Sequence, residues 1–426
     1  MNGRHTVFAL GILFVAISCL SPQLVLAGLY ADSAHGQKVD RSSIDNRFSD
    51  PPYAVGNCAH CHEQHASLGG VEPDPQGGLP SKYLLFASMT SHAFCNECHD
   101  SDGPAEDDVA ILSSHASGHK NPSPITGMIV RCVDCHDVHI AQSVKHIEAD
   151  DGNTASAVLR KVGGVDVTNW TDIGKPASLP GENLMTTVNY TEIKPEDGDE
   201  ITKEYQLCLK CHSSYAYTDA QLAGFGWSDQ AKDFNHWNVS FHPVTGRLNQ
   251  QWNNTFIRTN PGDAMVAGSG WDELSNVNKR MYCSDCHSDP LDTSRVTPGP
   301  KGPHGSNATY LLRGVGSGGT VNDLCLLCHN FNPTGSQAGK AHTGSPKHIT
   351  FALGCLGCHG GYLSTNSESR RGSIHGTNYW WSDPAPDGSP ARAFLVGGYL
   401  GSVDTINQTC KGPGCGKHNN TPASWP

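Results

Sequence analysis

Beyond residues 1–27 the chain has no run approaching the roughly 18 apolar residues that a membrane-spanning helix needs, so no integral membrane segment is expected there. Apolar side chains make up only 37% of its 426 residues, too few for a conventional core at this length. Charge is scarce too: Asp, Glu, Lys and Arg together supply 16%, and the formal net charge is −12. That acidic balance excludes the basic footprint of a nucleic-acid binder and argues against anionic lipid as a partner. Sustained helical periodicity is also missing. In its place stand 47 glycines and 26 prolines, which punctuate the chain into short segments. Taken alone, this composition leans towards a loose chain without a packed interior.

What the sequence does hold is cysteine and histidine, at 17 and 23 residues. Fourteen of the cysteines fall into seven C-x-x-C-H runs. These are Cys58, Cys61 and His62; Cys95, Cys98 and His99; Cys132, Cys135 and His136; and Cys208, Cys211 and His212. The series continues with Cys283, Cys286 and His287; Cys325, Cys328 and His329; and Cys355, Cys358 and His359. C-x-x-C-H is the attachment signature of a c-type haem: the two thiols add to the vinyl groups, and the adjacent imidazole reaches the iron. A redox dithiol, half a zinc knuckle or a disulfide framework gives no reason for a histidine at every repeat. Zinc sites would also pair the motifs, and seven is odd. Seven covalently attached haem c groups are expected, with fourteen thioether cysteines and seven proximal histidines.

Removing residues 1–27 leaves 399 residues, or 57 per motif. Each haem is then a large apolar body that replaces missing core side chains, so folding is coupled to attachment and the apo chain is not expected to fold. The expected fold is mostly irregular, with short α-helices and few β-strands, in an extended multihaem arrangement built around a stack of seven c-type haems. Short helices are expected at Thr90–Asp100 and Leu324–Asn330. Weak β-structure is expected in Val162–Ile193, and a tail hairpin from Ala393–Val396 and Gly398–Val403.

The N-terminus reads as an export signal. Arg4 and His5 precede the apolar stretch Val7–Leu20, and Val25-Leu26-Ala27 is a small-residue cleavage site. Cleavage after Ala27 is the first choice, with a lipoprotein signal at Cys19 as the alternative. Export to the periplasm or cell surface also suits haem c, which is attached outside the cytoplasm. Successive motifs begin 37, 37, 76, 75, 42 and 30 residues apart, as in a repeat array with two enlarged intervals. The expected division is a signal at 1–27, a three-haem module at 28–150, a two-haem region at 151–300 and a two-haem module with the tail at 301–426.

An iron that only carries electrons needs a sixth ligand. With six methionines and 15 histidines that are neither in the signal nor proximal in a motif, bis-histidine ligation is expected, and it favours low potential. The candidate distal ligands are His35, His65, His115, His119, His139, His242, His304, His342, His348 and His375. His65 and His139 follow a motif histidine by three residues, so one turn could serve two haems. His35, His304 and His375 lie among small residues that let a porphyrin face approach. The pair Cys410 and Cys415 lacks a following histidine; a local disulfide is the expected state and a degenerate eighth haem site the alternative.

The seven motifs, the His-rich spacers and the Cys-His-x-x-His units at Cys61–His65 and Cys135–His139 resemble multihaem c-type cytochromes with doubled C-x-x-C-H domains. The resemblance implies a periplasmic or outer-surface electron carrier of the kind found in metal-respiring bacteria, some of which assemble into filaments. Expected partners are other cytochromes or redox proteins, further copies of the chain in a filament, or an extracellular metal oxide. A reductase of a small nitrogen or sulfur oxyanion is the alternative. Such enzymes resemble a pattern in which one motif ends in lysine, and none does here. A non-catalytic conduit is therefore expected, with His35 as the donor to test for ligation across a filament subunit boundary.

Overall fold

The computed structural model describes residues 30–38, 56–58, 61–62, 85, 93–96, 98–99, 119, 127, 129–142, 152–168, 170, 188–224, 228–236, 240–246, 266, 279–288, 302–305, 311–313, 321–329, 375–377, 402–404 and 409–411. Two compact units contain them. The first takes residues 1–111, 131–145 and 156–162; the second takes 112–130, 146–155 and 163–426. The chain thus passes between the units several times before residue 163.

In the first unit the regular elements are single turns: α1 (Ala34–Lys38), α2 (Ala93–Asn96) and α3 (Cys132–Cys135). Ser33 caps α1, its fully buried Oγ accepting from Gly36 N at 2.9 Å and donating to Tyr30 O at 2.7 Å. Ala34 N donates to Ala141 O at 2.8 Å and so ties α1 to the segment that follows α3. At the head of α3, the Asp134 carboxylate accepts from Arg131 N at 2.7 Å, holding the turn that carries two cysteines. Among the described residues the buried apolar side chains here are Leu85, Ala141, Leu159 and Val162. That is too small a set to define a core.

The second unit has more of its own. Strands β1 (Gly164–Val167) and β2 (Tyr190–Ile193) pair antiparallel, with Val165 opposite Glu192 and Val167 opposite Tyr190. Alternation along Gly-Val-Asp-Val puts both valines inward at 0% and 4% exposure. Helix α4 (Glu204–Leu209) packs on β1. It starts where Gln206 Oε1 accepts from the backbone N–H groups of Thr202 and Lys203, and it buries Tyr205, Gln206 and Leu209. Helices α5 (Asp219–Gly224) and α6 (Gln230–Asp233) follow, the latter capped by Asp229 accepting from Ala231 N at 2.9 Å. Val165, Val167, Tyr205, Leu209, Ala231, Phe234, Val244 and Met281 form one cluster, with Cys283 and Cys286 against its edge.

The remaining elements are β3 (Ser240–Phe241), helix α7 (Val321–Cys328), β4 (Gly376–Thr377), β5 (Ser402–Asp404) and β6 (Thr409–Lys411). Strand β3 pairs with β4, and β5 with β6. Of the tail hairpin expected from 393–403, residues 393–401 lie outside the described set; Val403 pairs with Cys410 in the β5–β6 ladder. The expected helices at Thr90–Asp100 and Leu324–Asn330 appear as the shorter α2 and as α7, which starts three residues earlier.

Asn153 organises the second unit. Fully buried, with φ +49°, it donates from Nδ2 to Met281 O, accepts at Oδ1 from Tyr205 N (3.1 Å) and accepts at its carbonyl from Glu204 N (3.1 Å). Beside it Gly152, at φ +66°, lies against Arg280; a Cβ would fall 2.1 Å from Arg280 O, so only glycine fits. Asn153→Ala strands two buried backbone groups and opens a void. It is expected to cost about 2–4 kcal/mol, read as a lowered thermal midpoint of the haem-loaded protein.

Candidate haem-binding sites

Six of the seven motifs lie among the described residues at both their first cysteine and their histidine, and all six adopt one local geometry. In each, the histidine N–H donates to the carbonyl of the first cysteine: 2.8 Å for His62, 3.0 Å for His99, 2.9 Å for His136, His212 and His287, and 2.8 Å for His329. This is one i→i+4 helical turn. It turns both thiols and the imidazole towards the same side, as one macrocycle with two vinyl groups and a central iron requires.

The structure then brings a second histidine to five of these. Ring centroids are 6.1 Å apart for His35 and His99, 6.1 Å for His62 and His139, and 6.1 Å for His119 and His212. The distance is 6.3 Å for His242 and His329, and 5.9 Å for His287 and His375. Two imidazoles on opposite faces of one metal, each nitrogen about 2 Å from it, put their centroids about 6 Å apart. The spacing suits an iron between each pair, and each pair joins one motif histidine to one that the sequence had marked as a candidate distal ligand.

Local contacts aim several of these rings. His35 Nδ1 lies 2.9 Å from Val138 O, and His136 Nδ1 lies 3.1 Å from Val158 O. A carbonyl only accepts, so Nδ1 carries the proton and Nε2 keeps the lone pair that a metal needs. The short β3–β4 ladder places two rings at once. His242 follows β3, His375 precedes β4, and His242 N donates to His375 O at 2.9 Å. Phe234 packs on the His375 ring at 4.8 Å. Burial, then the neighbouring His287, His242 and His212, pushes His375 down to about 3; burial, then His119 and His287, takes His212 to about 4. Both are neutral at pH 7, the state in which imidazole binds iron.

The first cysteines of different motifs also meet. A hydrogen bond links the thiols of Cys95 and Cys132, raising the former and, as the largest of its influences, lowering Cys132 to about 7. Another links Cys208 and Cys283, and together with burial it raises Cys283. The Glu204 carboxyl joins the second pair, so that one ligand atom from each of Glu204, Cys208 and Cys283 lies within 4.8 Å of the others. Sequence reasoning missed Glu204, and no spacing rule marks it.

Several expected site residues lie outside the described set: His65, His115, His342, His348, Cys355, Cys358, His359 and Cys415. Cys410 is on β6, and the disulfide with Cys415 thus falls outside as well. His304 sits on a turn with its N–H donating to Gly302 O at 3.0 Å. His35, the donor to test across a subunit boundary, has its ring 6.1 Å from that of His99 in its own chain.

Among the described residues no helix is long and apolar enough to cross a membrane. Residues 275–334, which hold the Cys283–His287 and Cys325–His329 runs, match the family model described as doubled CXXCH motif. No curated protein and no solved structure matches the chain. These motifs indicate covalently bound haem c, and the doubled motif is consistent with a multihaem c-type cytochrome, a class typically exported and engaged in electron transfer.

Proposed function

We propose that this chain is a heptahaem, bis-histidine electron conduit, acting in anaerobic or extracellular respiration. The observation that carries the reading is the set of five histidine pairs at 5.9–6.3 Å. On this reading His139 closes the iron of the first motif and His35 that of the second. His119 closes the fourth, His375 the fifth and His242 the sixth. Haem supplies one-electron storage by cycling between ferric and ferrous iron. The protein holds both axial positions, keeps water from the metal and fixes the spacing between neighbours.

Contacts between attachment cysteines support an order in space. Cys95 meets Cys132, and the charge of Cys61 acts on Cys95, which makes the first three haems neighbours in the first unit. Cys208 meets Cys283, and the charge of Cys328 acts on Cys286, which does the same for the fourth, fifth and sixth in the second unit. Electrons would then pass through each unit in the order of the sequence. The acidic net charge suits a basic redox partner or a metal oxide surface. Assembly into a filament belongs to the same reading as a further role.

Spectroscopy of the purified protein tests the conduit against the oxyanion reductase. A fully low-spin ferric spectrum, with no carbon monoxide adduct after reduction, is the expected result. A high-spin component amounting to one haem per chain, together with turnover of nitrite, hydroxylamine or tetrathionate, would establish the reductase in its place.

A further inference from the structure

We propose that Glu204 is a positioning residue that sets the spacing between the haems carried by Cys208 and Cys283. The inference rests on the haem assignment above and concerns one carboxylate between two attachment turns. Glu204 opens α4 and Cys208 lies one turn later on the same face, so the carboxyl and the attachment sulfur point the same way. Ser284 stands next to Cys283 in a 3-10 turn, Cys283–Asp285. Glu204 Oε1 accepts from Ser284 N at 2.9 Å and Oε2 accepts from Ser284 Oγ at 2.8 Å. The backbone of Cys283 also donates to the carboxyl. One side chain thus bolts the two turns together across 80 residues of sequence, at the point where the Cys208 and Cys283 sulfurs touch.

Stability alone does not account for a carboxylate in this position. The residue as a whole is half-buried, but its carboxyl is desolvated, and that desolvation, with the Asp285 charge as a lesser cause, raises it to about 7. The charged form therefore works against folding, and a neutral group of the same shape would hold the turns at less cost. What the carboxylate adds is geometry: two oxygens received by two donors of a single residue fix distance and orientation together, where one hydrogen bond would leave a hinge. The sulfurs become thioether links to two macrocycles, so a fixed sulfur spacing means a fixed gap between their edges. The electronic coupling between the two haems depends steeply on that gap.

The test uses haem-loaded Glu204→Ala, Glu204→Gln and Ser284→Ala proteins. Mass spectrometry and the low-spin spectrum of the wild type read the haem assignment; the spin coupling of the oxidised protein and its Soret exciton circular dichroism read the clamp. Glu204→Ala is expected to keep every haem attached and low-spin while losing the coupling between this pair. Glu204→Gln, whose amide oxygen still accepts from Ser284 N, should restore most of it. A Glu204→Ala protein with a full haem complement and wild-type coupling overturns the proposal, as does one with a lowered melting point as its only change. If Glu204→Ala does not mature, Ser284→Ala decides: it removes one of the two anchors, so reduced coupling supports the clamp and unchanged coupling overturns it.

Discussion

Replacing His375 by alanine should leave the covalent haem complement intact and convert one haem per chain to a high-spin form that binds carbon monoxide once reduced. The His375 ring stands 5.9 Å from the His287 ring, is packed on by Phe234 at 4.8 Å and is held neutral by burial. Truncation removes the sixth donor and leaves a space that water or a diatomic ligand can enter. The covalent thioethers at Cys283 and Cys286 do not depend on His375, so mass should change only by the side chain. Titration of the ferrous protein with carbon monoxide checks this: one equivalent per chain is expected, and no adduct would remove His375 from the ligand set. His375→Met offers the complementary result. A thioether in that position favours ferrous iron, and one midpoint should rise by on the order of 100 mV, a fraction of the roughly 0.8 V that axial ligands command.

The chain made without haem attachment is expected to be unfolded, but not uniformly. In the second unit the described residues hold eight buried apolar side chains in one cluster around Val165 and Leu209. The Asn153 junction and the β1–β2 ladder reinforce that cluster. Among the described residues of the first unit the buried apolar side chains are few, and the helices are single turns of four or five residues that do not persist alone. Hydrogen exchange on apo protein, from cells lacking the attachment machinery, should show residual protection confined to the stretch around 152–288. Cooperative apo folding with native-like protection in both units would show that the haems fill space without being required for the fold.

Much of the site was legible because its chemistry has a fixed spacing. A C-x-x-C-H run forms one helical turn whatever surrounds it, so Cys132–His136 and Cys283–His287 could be read directly. The surplus of histidine made the second ligands countable, and the small residues around His35 and His375 pointed to rings that a porphyrin can approach. Which histidine serves which iron was beyond reach. The link from His119 to His212 depends on long-range packing that leaves no local periodicity. His119 was one of two neighbouring candidates, and its ring stands 6.1 Å from that of His212. Strands β1 and β2 were visible in their Val-Asp-Val and Asn-Tyr patterns. The tail hairpin expected from 393–403 lies mostly outside the described residues, and a short alternating run leaves its register open. Glu204 and Asn153 carry no motif, since a buried polar group shows its worth only once its partners stand around it.

The five histidine pairs have one more consequence, which concerns topology. Each joins positions 64 to 93 residues apart, and on the conduit reading each would become, in the haem-loaded chain, a covalent and coordinate clasp around a loop of that size. In chain-entropy terms a clasp of this span constrains the unfolded ensemble much as a disulfide does, by about 4 kcal/mol. The loops 35–99 and 62–139 would share residues 62–99, and 242–329 and 287–375 would share residues 287–329. Unlike disulfides, such clasps would open without a reductant: acid or a competing strong ligand such as free imidazole would release the distal nitrogen while the thioethers stay. A chain with few buried apolar side chains among its described residues would thus be fastened by overlapping, reversible buckles, each of which closes only after the whole loop between its ends has been made.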